Sequence, residues 1–203
     1  MSLVIALALR KMAVIGADRR SIAFFGPCPV LEEELYSGLI EDDRKLKSRA
    51  GELGASLQVS DGREKVWRRG DVLVGEVAEV SASHCRRRRI YLLPGASLEV
   101  EIEEYDASFG QARIRSWGGV GCTVFGNRFT QKLASKEISL AGGRVDEALI
   151  RAILEKAGRE TASVSRESVV LRSDFMAVNA REDLLKALQE DCREGGWRLC
   201  DPQ

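Results

Sequence analysis

The sequence predicts an α+β fold, two β-sheets sandwiched between layers of helix, and three observations carry that expectation. Two continuous apolar runs, Leu3 to Leu9 and Met12 to Ala17, stand side by side and are broken only by Arg10-Lys11, as in adjacent strands buried on both faces. Two stretches in the second half of the chain carry apolar residues at helical spacing. Further short apolar runs near both ends, Ser21 to Phe25, Val169 to Leu171 and Phe175 to Val178, supply additional strands.

Taken in order, the first two runs form a hairpin with two possible registers. A loop of Leu9-Arg10-Lys11 sets Ser2 opposite Asp18, whereas a loop of Arg10-Lys11 alone sets Leu3 opposite Asp18. The strand from Ser21 to Phe25 ends at Gly26-Pro27. Asp42 can cap a helix whose Leu46, Ala50 and Leu53 share a face and which Gly54 can end. Short strands follow at Ser56 to Val59, Val72 to Val80, Ile90 to Leu93 and Leu98 to Ile102, punctuated by Asp61-Gly62, Gly70-Asp71, the Arg86 to Arg89 run and Pro94-Gly95. Residues 42–114 are therefore expected to be a β-rich insertion into a core made of residues 1–41 and 115–203. The strand Cys122 to Phe125 leads into Gly126-Asn127, where Asn127 can cap a helix running through Leu133. After Gly142-Gly143, a helix with Val145, Leu149, Ile150, Ile153, Leu154 and Ala157 on one face runs to about Gly158. Asn179 and Glu182 open the last helix in the manner of a capping box, ahead of Leu184, Leu185, Leu188 and Cys192.

At 203 residues and 44% hydrophobic content the chain suits one domain with an insertion. Its 31 basic residues balance 31 acidic ones, so no global field draws it to nucleic acid or to a membrane surface. The Arg86 to Arg89 run reads as a solvated turn, since no aromatic residues interleave it. Trp67, Trp117 and Trp197 read as core or interface anchors. Five scattered cysteines without a Cys-x-x-Cys pair, and a single histidine, His84, predict reduced thiols and no metal site. No segment has the ~18 apolar residues of a membrane span. A cytoplasmic protein without membrane insertion is expected.

The residue that points to chemistry is Ser2. Loss of Met1 would make it the amino terminus, and a terminal serine carries both a nucleophile and its base. The α-amine, with an ordinary pKa of about 7.7 to 8.0, is partly free near neutrality to take the hydroxyl proton. Either hairpin register brings Asp18 and Arg19 to the neighbourhood of that amine.

Ser2, the doubly buried hairpin, Gly16-Ala-Asp-Arg-Arg20 and the helical second half together resemble the N-terminal-nucleophile hydrolases, in particular proteasome β subunits. The resemblance implies a four-layer α-β-β-α sandwich. Asp18 stands sixteen residues beyond Ser2, where that family has its orienting acid. Glu160 and Ser163 reproduce the spacing of an acid and a serine that bind the terminal amine there, and Asn127 falls near the position of a supporting serine. Read from local structure alone, Glu160 and Ser163 end a helix and begin a turn, and Asn127 is a cap. One departure stands out. The family's lysine lies thirty-two residues beyond the nucleophile, and that count lands on Glu34, so Arg19 or Arg20 is expected to supply the positive potential instead.

A narrower resemblance rests on Met-Ser-Leu-Val-Ile-Ala6, Gly16-Ala-Asp-Arg19, Glu34-Leu-Tyr-Ser-Gly38, Val72-Leu-Val-Gly-Glu-Val77, Val124-Phe-Gly-Asn127 and Thr161-Ala-Ser-Val-Ser165. These segments are similar to connectase, a proteasome-like protein ligase family of methanogenic archaea. With the proteasome-like positions the expected catalytic set is Ser2, Asp18, Asn127, Glu160 and Ser163, with Arg19 as the basic substitute, and no metal or organic cofactor is expected. The resemblance also implies a protein or peptide partner bearing a short Lys-Asp-Pro-Gly-Ala motif, such as a methyltransferase subunit; proteasome relatives form rings, but the insertion would obstruct stacking, so a monomer is expected. The bond before proline would be cut through an acyl ester on Ser2 and the fragment passed to another prolyl amine, with the Gly126 and Asn127 N–H groups as candidate oxyanion donors. An N-terminal-nucleophile peptidase or amidohydrolase shares this nucleophile and differs in the acceptor. A non-catalytic interaction module on the same fold would keep Met1.

Overall fold

A computed structural model describes residues 3–81, 84–105 and 110–200. The elements run β1 (Val4–Leu9), β2 (Met12–Asp18), β3 (Ser21–Phe25), α1 (Pro29–Tyr36), α2 (Asp43–Glu52), β4 (Ser56–Ser60), β5 (Val66–Arg69) and β6 (Val72–Val80). They continue with β7 (His84–Leu93), β8 (Ala96–Tyr105), β9 (Gln111–Gly118), β10 (Gly121–Phe125), α3 (Arg128–Leu140), α4 (Glu147–Glu160), β11 (Ser168–Ser173), α5 (Ala180–Gly195) and β12 (Arg198–Cys200). The α+β class is the one the sequence predicts. The strand orders are β10-β1-β2-β11, β12-β9-β8-β7-β6-β5 and β3-β4.

The first hairpin resolves the two registers. Arg10 and Lys11 alone form the turn, and the Asp18 amide donates to the Leu3 carbonyl at 3.3 Å. Residues 3–8 and 13–18 are buried throughout, as the continuous apolar letters require.

Contacts group the described residues into two units. One holds those within 3–4, 16–65 and 124–170, and the other those within 5–15, 66–123 and 171–200. Residues 42–114, expected as one insertion, are shared, with 42–65 in the first unit and the rest in the second.

In the first unit, α4 lies directly on β2. A Cβ built on Gly16 would meet Ile150 at 2.8 Å and Leu154 at 2.9 Å, so only glycine lets helix and strand approach this closely. The helix α1, absent from the sequence reading, starts on Pro29, whose missing N–H is costless in the first turn, and buries Leu31 and Leu35 one turn apart. These two join Ile40, Leu46, Ala50 and Ala162 in one apolar cluster. The expected caps Asp42 and Asn127 accept from the amides of Lys45 and Thr130, and Asp146, which the sequence reading did not name, accepts from the Leu149 amide.

In the second unit, α5 packs its Leu184, Ala187 and Leu188 against Val74, Tyr91, Leu98 and Val100 of the six-stranded sheet. Its cap is a modified capping box: Asn179 accepts from the Glu182 amide at 3.4 Å, while the Glu182 carboxylate accepts from the Asn179 side chain at 2.9 Å.

Two sequence expectations are corrected here. Arg86 to Arg89 are not a turn but the middle of β7, held because glutamates on neighbouring strands face them: Arg86 pairs with Glu101, Arg87 with Glu104, and Arg89 with Glu76. Phe175 to Val178 form no strand. They enter no ladder and expose Phe175, Met176 and Val178, while Asn179 starts α5 immediately after. Trp67 and Trp197 are core anchors as expected, and they flank the Arg89 guanidinium at 5.1 and 4.9 Å. Among the described residues no helix is long and apolar enough to cross a membrane.

Candidate active site

Asp18, the last residue of β2, is 1% exposed, and its carboxylate is saturated by four donors of the first unit. Oδ1 accepts from the Leu3 amide at 2.8 Å. Oδ2 accepts from the Arg20 amide at 2.8 Å, the Lys65 ammonium at 2.8 Å and the Ser165 amide at 3.2 Å. The hairpin register explains the first contact: with Asp18 opposite Leu3, its side chain folds back onto the amide of the Ser2–Leu3 peptide bond. Ser2 itself lies outside the described residues.

Lys65 is the cation beside Asp18 that the sequence reading missed. It immediately precedes β5, and its side chain is 1% exposed against 0% for that of Asp18. Burial pulls its pKa down from 10.5 to about 8, and the Asp18 charge and hydrogen bond oppose that shift. A buried ammonium paired with a buried carboxylate makes this spot a candidate site.

The second cluster joins two predicted residues. Asn127 Nδ2 donates to Ser163 Oγ at 3.0 Å, and Ser163 Oγ also lies 3.0 Å from Thr161 Oγ1. Asn127 is therefore both cap and network member, since its Oδ1 takes the Thr130 amide at 2.9 Å. Thr161, Ser163 and Ser165 are each at most 1% exposed. One buried segment thus carries both clusters, with Ser163 bonded to Asn127 and Ser165 to Asp18.

Other predicted residues are placed elsewhere. The Glu160 carboxylate sits exposed at the end of α4, 3.8 Å from the Lys156 ammonium, and the buried hydroxyl beside Ser163 belongs to Thr161. Arg19 donates its amide to the Glu167 carbonyl, while its Nε is buried without a hydrogen-bond partner among the described residues. Arg20 touches Asp18 only through its backbone. Its guanidinium is gripped by Asp43 at 2.6 Å, Asp61 at 2.8 Å and the Ala162 carbonyl at 2.7 Å. Glu34, where the lysine count had landed, forms a two-pronged pair with Arg49 at 2.7 Å on each oxygen, tying α1 to α2. The cation beside Asp18 is Lys65, not Arg19 or Arg20. Among the described residues no group of three or more His, Cys, Asp and Glu side chains is placed to hold a metal ion.

A family model described as Connectase MJ0548-like, N-terminal domain, matches residues 1–193. The chain belongs to the connectase family. No curated protein matches it. Among solved structures, this connectase-family chain is similar to Thiobacillus denitrificans BPH in complex with epoxomicin, with a TM-score of 0.47 and 11% identity over 86% of this chain and 100% of that one.

The connectase-family site has one steric requirement outside the polar groups. A Cβ at Gly158 of α4 would stand 2.6 Å from the Ser165 carbonyl oxygen and 3.1 Å from the Arg166 Cα, backbone atoms of the strip that donates to Asp18. Gly158→Ala is expected to cost about 1–3 kcal/mol by overpacking, read as a lowered urea midpoint. It should also lower activity, because the Ser165 amide must move off the carboxylate.

Proposed function

We propose that the chain is an N-terminal-serine protein ligase. It would cut a Lys-Asp-Pro-Gly-Ala-like motif through an acyl ester on Ser2 and join the fragment to a second prolyl amine. The supporting observation is the buried Asp18–Lys65 pair, whose carboxylate holds the Leu3 amide, one bond from the proposed nucleophilic residue. Family membership supports the same reaction class.

Once Met1 is removed, the free α-amine takes the Ser2 hydroxyl proton as Oγ attacks the aspartyl carbonyl. The tetrahedral intermediate collapses with the C–N bond to proline breaking, and the ammonium returns the proton to the departing prolyl nitrogen. The acyl ester then meets a new prolyl amine, and the same steps run in reverse. One X-Pro amide replaces another, so the exchange is near thermoneutral and the outcome depends on holding the amine and excluding water. Lys65, when charged, adds positive potential beside Asp18 that favours the alkoxide and the unprotonated amine.

The test is intact-mass measurement of the Met1-free protein with a Lys-Asp-Pro-Gly-Ala peptide. The wild type should gain the acyl fragment and Ser2→Ala should not. Labelling of the alanine variant would refute the mechanism. Adding a Pro-Gly-Ala peptide separates ligation, which gives exchanged product, from hydrolysis, which gives free acid.

A further inference from the structure

Lys65 reaches Asp18 from a segment that is neither helix nor strand. Residues 61–65, between β4 and β5, run past the end of β2 in the first unit, and alternate positions are tied to it one by one. The Asp61 carboxylate takes a two-pronged bond from the Arg20 guanidinium at 2.8 and 3.0 Å. The Arg63 amide donates to the Arg19 carbonyl at 3.0 Å, and the Lys65 ammonium donates to Asp18 at 2.8 Å. Residues 61, 63 and 65 thus answer 20, 19 and 18, and both ends of the segment are fixed against the same three residues. The Asp61 end is rigid. Arg20 is buried, its other side-chain donors go to Asp43 and the Ala162 carbonyl, and its amide bonds the same Asp18 oxygen that takes Lys65.

We propose that Asp61 is a positioning residue for the Asp18–Lys65 pair: clasped to Arg20 at the far end of the segment, it is the second anion that keeps Lys65 charged beside Asp18. Its part in catalysis rests on the ligase reading, whereas its action on Lys65 does not. Among the described residues, the charged groups acting on the ammonium are Asp18, Arg63 and Asp61. Burial disfavours the charge most and Arg63 adds to that, while Asp18 opposes it most strongly and Asp61 takes the same side. Asp61 is itself an anion throughout the working range, because Arg20 holds its carboxyl below the usual carboxylate range against the cost of burial. Neutralising Asp61 therefore acts in one direction. An anion is lost, and the positive charge of Arg20 is left with only Asp43 to offset it.

The Lys65 titration, with its midpoint at about 8, is followed by the carbon-13 shift of its Cε in the Ser2→Ala protein, and the pH profile of kcat is followed in the Ser2 protein. Asp61→Asn removes the charge at nearly constant shape, and Asp61→Ser is a second neutral variant. Arg20 keeps Asp43 and the Ala162 carbonyl in both, so the fold is expected to persist. Each should raise the acidity constant of Lys65 about threefold, as expected for one partly screened charge, and shift the alkaline limb of kcat to lower pH by the same factor. Asp61→Glu keeps the charge and should keep the wild-type midpoint. Asp43→Asn takes an anion from the same guanidinium but lies on α2, off the segment that carries Lys65, and should leave the midpoint in place. An unchanged or raised midpoint in the neutral variants, or an equal fall in Asp43→Asn, would overturn the proposal. If the midpoint falls as expected while the Ser2 protein neither acylates nor ligates, the ligase reading fails and the action of Asp61 on Lys65 stands.

Discussion

Replacing Lys65 by methionine is expected to lower kcat/KM by about 10²–10³-fold at pH 8, the range seen when one preorganised charge or donor is removed from an active site. The side chain keeps its length and apolar stem, so packing survives while the ammonium 2.8 Å from Asp18 is lost. The pH profile separates a chemical role from a structural one. In the wild type, activity should rise as the Ser2 amine is freed, from its ordinary value of about 7.7 to 8.0, and fall as Lys65 loses its proton at about 8. The result is a narrow bell, and Lys65→Met should lose its alkaline limb. Stability follows the opposite trend. Because burial lowers the lysine's folded pKa below its unfolded value, the penalty for charging it is full below about pH 8 and fades as pH rises toward 10.5. The wild type should therefore gain stability relative to Lys65→Met across that interval. A bell of unchanged shape in the variant would remove Lys65 from the chemistry.

The largest loss of stability is expected from Arg89→Met in the second unit. Arg89 is 7% exposed and answers two buried acids, Glu76 at 2.6 Å and Asp191 at 2.5 Å, while stacked between Trp67 and Trp197. Removing the cation breaks a buried pair with both acids, which keep only their other arginines, Arg87 beside Glu76 and Arg69 beside Asp191, a change worth about 3 kcal/mol. Urea unfolding should show the loss at pH 8. It should shrink as pH falls toward 5, because an uncompensated buried carboxylate takes up a proton more readily folded than unfolded. A loss independent of pH would point to packing around the two indoles instead.

Much of this arrangement is legible in the chain. The unbroken apolar letters of Leu3 to Leu9 and Met12 to Ala17 leave a buried hairpin as the natural solution, and caps at Asp42, Asn127 and Asn179 follow from short polar side chains set before apolar periodicity. The hairpin places Asp18 near the chain start because a two-strand register is a local property. Lys65 was not legible for the opposite reason. Counting thirty-two residues past Ser2 stops at Glu34 in α1, while α1, α2 and β4 intervene before the chain reaches the lysine that faces Asp18. Proximity across that detour is set by tertiary packing, which no count along the backbone contains. Its one trace in the letters is a lysine directly abutting the buried Val66. The Arg86 to Arg89 run misled for a related reason: its glutamate partners lie ten or more residues away in sequence, and only strand pairing brings them opposite.

The strip 161–167 has a practical corollary. A displacement of Ser165 would be felt, through one amide, at the carboxylate oxygen that also holds Lys65, so the Lys65 ammonium is expected to report on that strip. Nitrogen-15 chemical shifts of that amine, followed during peptide titration, would report binding in a protein whose nucleophile has been disabled.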